Sequence, residues 1–198
     1  MATAVALYER GVTVQGLSDI DWEVSAPEGI DMPAARALVQ SEGSLEHVPG
    51  ARPTTHTLLS WSADIVVPAA ASSQIRANNA ADIIESGTTH GEPKIICEAA
   101  NGASTFHGGE LLEEAQLHVV PDVLANPGGV VGSYFEMLQN QEGRAWTLEE
   151  TTGRLHETMN AAYDNARATA SHYGISLRMG AVTGAVVALA QEAASRLR

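Results

Sequence analysis

Residues 95–140, IICEAANGASTFHGGELLEEAQLHVVPDVLANPGGVVGSYFEMLQN, restrict the possible folds more than any other part of the chain. Twice within them a short apolar run stops at a polar loop carrying Gly and Asn, and a helix-like segment follows. The first run ends in Glu98 and leads to Asn101-Gly102. The second, Leu117-His118-Val119-Val120, is closed by Pro121-Asp122 and leads through Asn126 to Gly128-Gly129. Apolar runs stopped in this way read as buried, parallel-type strands with helical crossovers between them. In open α/β sheets, ligands collect at the carboxyl ends of such strands, where loop amides and helix N-termini meet polar groups.

The remaining sequence fits the same pattern. A helix is expected over residues 2–10, ended by Gly11, then a strand over 12–17 followed by Ser18-Asp19. Gly29-Ile30-Asp31-Met32-Pro33 opens a helix running to about Gln40, and residues 43–53 read as a loop. In Asp64-Ile65-Val66-Val67-Pro68-Ala69-Ala70 the apolar run stopped by Pro68 reads as a buried parallel-type strand, a helix covers 77–85, residues 86–93 form a loop, and a strand follows at 94–98. Thr147-Leu148-Glu149-Glu150 has the form of a capping box. It starts a helix whose apolar face is marked by Leu155, Met159 and Ala162 and which ends at Gly174, before a last Ala/Val-rich helix over 177–197. Residues 1–146 are thus expected to form a dinucleotide-binding type of domain, and 147–198 a helical pair packed on it.

Composition narrows the function. A net charge of −13 argues against nucleic acid and anionic membrane as partners, since both need a basic surface. No apolar run approaches the ~18 residues of a membrane span, and no signal peptide is visible. The single cysteine, Cys97, fits a reducing cytoplasm and reads as a buried, inert thiol. The seven histidines are scattered and His156-Glu157 does not complete H-E-x-x-H, so no metal site is expected. The nucleophile motif G-x-S-x-G and a P-loop are both missing from the sequence.

The pattern EAANG…VVPDVLANPGGV…SYFE resembles the C-terminal nucleotide-binding domain of the glutamate, leucine, phenylalanine and valine dehydrogenases, with glutamate dehydrogenase the nearest by eye. The likeness runs over nearly the whole chain. It implies an NAD- or NADP-dependent oxidoreductase that deaminates an L-amino acid, L-glutamate in the first place, to a 2-oxo acid and ammonia. It also implies site residues. Asp19 would accept ribose hydroxyls, which favours NAD slightly over NADP because a carboxylate repels a 2′-phosphate; a turn or helix-cap role is equally open to it. Ala69 and Ala70, after Pro68, would lie under the adenosine half, or serve only close helix–sheet packing. Asn101 would sit beside the nicotinamide ribose, or be a turn residue of Asn-Gly. Asn126 would bond the nicotinamide carboxamide, for which an amide offers both donor and acceptor, or cap the next helix. Val130 and Ser133, three residues apart on one helical face, would meet the substrate side chain. The catalytic lysine and aspartate of the family belong to its N-terminal domain, so no catalytic residue is assigned here.

The sequence departs from that pattern in several places. Ala99 stands for a usual glycine, Ala103 for a proline, Pro127 for an alanine and Gly132 for a bulkier residue. More consequentially, no G-x-G-x-x-G occurs anywhere, and counting back about 20 positions from Asp19 puts that fingerprint at or before Met1. The expected fold is therefore an α/β, Rossmann-like doubly wound sheet, mostly parallel, with C-terminal helices, lacking its first strand and glycine-rich turn. Loss of a central strand leaves buried backbone unpaired at roughly 1–3 kcal/mol per group, so modest stability is expected unless another element supplies that edge. Two functions follow. One is the cofactor-binding portion of a glutamate-dehydrogenase-like enzyme, inactive alone and completed by a substrate domain or partner half in a homo-oligomer, a hexamer in the family. The other is a non-catalytic remnant or interaction module.

Overall fold

The computed structural model describes residues 1–55, 58–87 and 94–196. Parts of the segment expected over 55–60, most of the loop expected over 86–93, and Leu197 lie outside the described residues. By contacts the chain divides into two compact units, Met1–Asp64 with Ala81–Glu92, and Ile65–Ala80 with Pro93–Arg198.

In the first unit, helix α1 (Ala2–Tyr8) precedes three short strands, β1 (Gly16–Ser18), β2 (Trp22–Ser25) and β3 (Ala51–Pro53). They pair antiparallel in the order β1-β2-β3, with Leu17 opposite Val24 and Glu23 opposite Arg52. This corrects two expectations. Residues 43–53 hold a strand as well as a loop, and the strand expected over 12–17 is paired only from Gly16. Residues 14 and 15 stay extended without a ladder: the Val14 carbonyl accepts from Ile30 N and the Gln15 carbonyl from Ala26 N, at 2.8 and 2.9 Å.

Helix α2 (Met32–Glu42) begins where the sequence signals it. The Asp31 carboxylate accepts from Ala34 N at 3.1 Å, Pro33 sits in the first turn, and Gly43 closes the helix at φ +76°. Its buried face carries Met32 and Ala35 onto Val24, Ile30, Leu45 and Val48.

The second unit is built on a parallel sheet in the order β4-β5-β6, from β4 (Ile65–Val66), β5 (Ile95–Cys97) and β6 (His118–Val120). Central β5 buries Ile96 completely, as a strand covered on both faces should. Helix α3 (Ala77–Glu85) follows β4, its first four residues counted in this unit and the rest in the first, and α4 (Phe106–Glu114), α5 (Asp122–Ala125) and α6 (Gly128–Glu142) follow β5 and β6. Thr105 caps α4 by accepting from Gly108 N, and a Cβ built on Gly108 would lie 2.7 Å from the Ile75 carbonyl oxygen. Glycine is what lets α4 start against that backbone.

The C-terminal pair, α7 (Leu148–Tyr173) and α8 (Leu177–Arg196), belongs to this same unit. Thr147 caps α7 by accepting from Glu150 N at 3.1 Å, half of the expected box. The other half is diverted, because the Glu150 carboxylate accepts both guanidinium nitrogens of Arg144 at 2.9 Å. The apolar face of α7 also differs from expectation. Leu155 and Met159 are half-buried but Ala162 is exposed, and the stripe continues through Tyr163 to buried Ala166 and Ala170. Gly180 of α8 rests against Ala166 and Ala170, leaving no room for a side chain.

Candidate functional site

Two loops of the second unit carry most of the residues the sequence singles out. The β5–α4 loop starts with the fully buried Glu98 and continues through Asn101 and Gly102, the latter at φ +58°. After β6, Pro121 starts the short α5, and Asn126 ends it with φ −119°. Pro127 then leads into α6.

The structure brings the two asparagines together. Asn126 Nδ2 donates to Asn101 Oδ1 at 2.7 Å and to the Ala99 carbonyl at 3.3 Å. Among the described residues nothing donates to Asn126 Oδ1, so the amide pair, with Asn101 exposed and Asn126 half-buried, keeps one unused acceptor. Asn126 is thus a helix-terminus residue with unused hydrogen-bonding capacity; the turn at Asn101-Gly102 likewise exists together with a side-chain contact.

Ala69 and Ala70 follow β4 and are exposed. Pro68, just before them, is buried, and its carbonyl accepts from Ala99 N at 3.1 Å and Ala100 N at 3.0 Å. The Ala70 and Ala71 amides bond Gln74 Oε1 at 3.2 Å. The Ala69-Ala70 segment is therefore exposed, linked to the β5–α4 loop through the Pro68 carbonyl, with the Ala70 amide already taken by Gln74.

Val130 and Ser133 occupy one exposed face of the first turns of α6, with Val130 75% accessible. Tyr134 and Met137 extend this face and are also exposed. A Cβ on Gly132 would meet nothing within 4 Å, so the small residue there reflects open space. The concavity on α6 lies elsewhere, at its carboxyl-terminal end, between Glu136, Gln139 and Arg144.

Asp19, in the first unit, is tied up locally. Its Oδ1 accepts from Asp21 N at 2.9 Å and Trp22 N at 2.7 Å, and its Oδ2 from Leu45 N at 3.3 Å. Burial alone would raise its pKa, but the amides of Trp22, Asp21 and Leu45 outweigh burial and hold the carboxyl below its ordinary value. The turn role is thus realised. Oδ2, with one long bond, retains capacity for another donor. Cys97 is partly buried, and its thiol is pushed up first by burial and then by neighbouring Glu98, as an unreactive thiol would be.

Sequence reasoning gave no role to the group beneath the amide pair. Arg178 of α8 donates through Nη2 to both oxygens of Glu98, at 2.8 and 2.9 Å. Glu98 also accepts from Asp122 N at 3.1 Å, and the Asp122 carboxylate accepts from Gly102 N at 2.8 Å. The available signal was a carboxylate ending an apolar strand, since a buried charge demands a partner. With Glu98 and Arg178 80 positions apart, the sequence did not reveal which cation answers it.

Comparison with known proteins agrees with this architecture. Residues 1–196 match the family model for glutamate/leucine/phenylalanine/valine dehydrogenase. Among curated relatives, the catabolic NAD-specific glutamate dehydrogenase RocG of Bacillus subtilis is 34% identical over 88% of this chain and 39% of the relative. The cryptic catabolic NAD-specific glutamate dehydrogenase GudB of the same organism is 35% identical over 97% of this chain and 43% of the relative. Among solved structures, glutamate dehydrogenase of Peptoniphilus asaccharolyticus superposes with TM-score 0.78 at 26% identity, over 98% of this chain and 43% of that one. The hetero-hexameric glutamate dehydrogenase of Thermus thermophilus, in its leucine-bound form, gives TM-score 0.84 at 24% identity over 95% of this chain and 42% of that one. The chain therefore spans about two-fifths of the length of the relatives it matches.

Proposed function

The chain belongs to the glutamate/leucine/phenylalanine/valine dehydrogenase family, and from that membership we propose that it is the cofactor-binding portion of an NAD-dependent dehydrogenase acting on L-glutamate. The observation that carries this reading is the amide pair on the loops after β5 and β6. Asn126 is anchored through Nδ2 to Asn101 and Ala99. Its Oδ1, to which no described residue donates, is available to accept from a primary carboxamide such as that of nicotinamide, with Asn101 beside it to meet the attached ribose. A planar amide held at two points loses little freedom on binding, which favours recognition.

The other residues fit the same group. The exposed backbone at Ala69-Ala70 suits the close approach of a flat adenosine half. For Asp19 we propose contact with ribose hydroxyls through Oδ2, in addition to its turn bonds. NAD is favoured over NADP because the ionised carboxylate repels a 2′-phosphate. The names of the NAD-specific Bacillus relatives point the same way. Val130 and Ser133 present an apolar group and a hydroxyl on one face of α6, a combination suited to the side chain of glutamate. A bound NAD would supply the hydride acceptor for oxidation at the amino-acid Cα.

Deamination also needs general acid–base groups and cations for the α-carboxylate. The family resemblance puts those on a preceding substrate domain, so we propose that turnover requires that domain and assembly into an oligomer, hexameric as in the family. The test is NAD reduction by L-glutamate, assayed with the chain alone and with a substrate domain from the RocG relative supplied in trans. The expected result is activity only in the mixture. Turnover by the chain alone would contradict this division of labour. Folded material that stays inactive in every mixture would favour a non-catalytic interaction module.

A further inference from the structure

We infer that Arg178 and Glu98 are positioning residues that set the geometry of the Asn101–Asn126 amide pair; this rests on the cofactor-binding reading of that pair. Neither side chain reaches the exposed amides. They act through the backbone on which both asparagines ride.

The chain of contacts is continuous. Arg178 Nη2 holds both oxygens of Glu98, whose side chain is 1% accessible. The second Glu98 oxygen accepts from Asp122 N, fixing the first residue of α5 to the end of β5. Asp122 returns the link, its Oδ2 accepting from Gly102 N beside Asn101, while its Oδ1 takes Val123 N at 2.8 Å. Asn126 closes the circuit through Ala99 and Asn101. Two loops that follow different strands are therefore clamped at both ends of α5, and among the described residues the cation of the clamp is Arg178 of α8.

Charge explains why the clamp needs Arg178. Glu98, Asp122 and Glu113 converge on one guanidinium, with Glu113 at 3.7 Å from Nε and Asp122 at 3.6 Å from Nη1. Without it, carboxylates of like sign would face each other in a poorly solvated place and push the two loops apart. Arginine suits the position better than lysine, because its fork addresses several carboxylates from one rigid plane. The helix that carries it is held by the close contact of Gly180, two residues further on, with Ala166 and Ala170 of α7. Any displacement of α8 is thereby transmitted to the asparagines.

The test uses R178K, R178M and the double variant E98Q/R178M, the last leaving no unpaired buried charge and so guarding against simple unfolding. Two readouts apply to each folded variant. The first is the side-chain amide resonances of Asn126 and Asn101 by NMR. In R178M and the double variant the Asn126 signals should shift and lose protection, with R178K restoring them in part. The second is affinity for NAD against affinity for ADP-ribose, which lacks the nicotinamide. A displacement of about an ångström should weaken NAD roughly tenfold or more and change ADP-ribose by less than about twofold. A merely structural role would weaken both ligands together. Unmoved amide resonances in a folded R178M or double variant would overturn the inference, as would moved resonances with NAD affinity unchanged. If the unaltered chain binds no NAD, the functional reading fails, and the amide resonances alone decide whether Arg178 sets the pair.

Discussion

Single residues separate glycines that the fold requires from those it merely contains. Gly153 lies exposed inside α7, and a Cβ there would meet nothing within 4 Å. Gly153→Ala should therefore raise stability by about 0.5–1 kcal/mol in urea unfolding, through the backbone entropy that glycine loses in a helix. Gly108→Ala should do the opposite, since its Cβ would collide with the Ile75 carbonyl. Equal effects at the two positions would contradict this packing. A second residue-scale expectation concerns Glu23, fully buried in β2. Burial would raise its pKa, but the Thr55 amide, the Arg52 guanidinium and the Thr55 hydroxyl together hold it below its ordinary value of 4.5. A carboxyl depressed on folding contributes stability above its unfolded pKa and loses that contribution as pH falls through the folded pKa. Glu23→Gln should thus be less stable than the parent near pH 7, with the gap closing as the pH falls below 4.5 and through the depressed folded pKa. A gap constant with pH would show that Glu23 is not ionised in the fold. Neither this network nor the Arg178 clamp was legible in the sequence, because both join residues far apart in the chain. Thr147 was easier: a cap's partner lies three residues away and the motif contains both ends.

At the scale of elements, parallel strands were the readable ones. β4, β5 and β6 lie in short, mainly apolar runs stopped by Pro68, Glu98 and Pro121, so each announces itself locally. The antiparallel strands do not. β2 carries a buried glutamate in an otherwise apolar pattern, and β3 contains Pro53, which a strand tolerates only at an edge or end. Each makes sense only beside its neighbour. The two ends of the parallel sheet are also unequal to its centre. β4 is two residues long and, among the described residues, borders β5 alone, whereas β5 is bonded on both sides. Amide hydrogen exchange should therefore be fast in β4 and slowest in β5, and docking of a further strand onto β4 should slow it. Protection of β4 equal to that of β5 in the isolated chain would mean that the open edge is already covered.

For the whole molecule, the sequence conveyed fold class and family through one compact stretch, residues 95–140, because loops after parallel strands hold the ligand-facing residues of such folds. It did not reveal that the chain partitions into two units, one antiparallel and one parallel, since this depends on pairings of strands two to four residues long. Nor could it show that Asn101 and Asn126 touch, although it singled out both. The central claim is that this pair receives the nicotinamide end of NAD. The measurement that bears on it most directly is calorimetric titration of the folded 198-residue chain with NAD, beside the same titration of Asn126→Ala. The account predicts saturable binding in the micromolar-to-millimolar range, weakened about tenfold in the variant, the cost of losing an interaction worth ~1.4 kcal/mol. A folded chain that binds no NAD, or one whose affinity is unchanged by Asn126→Ala, would contradict it.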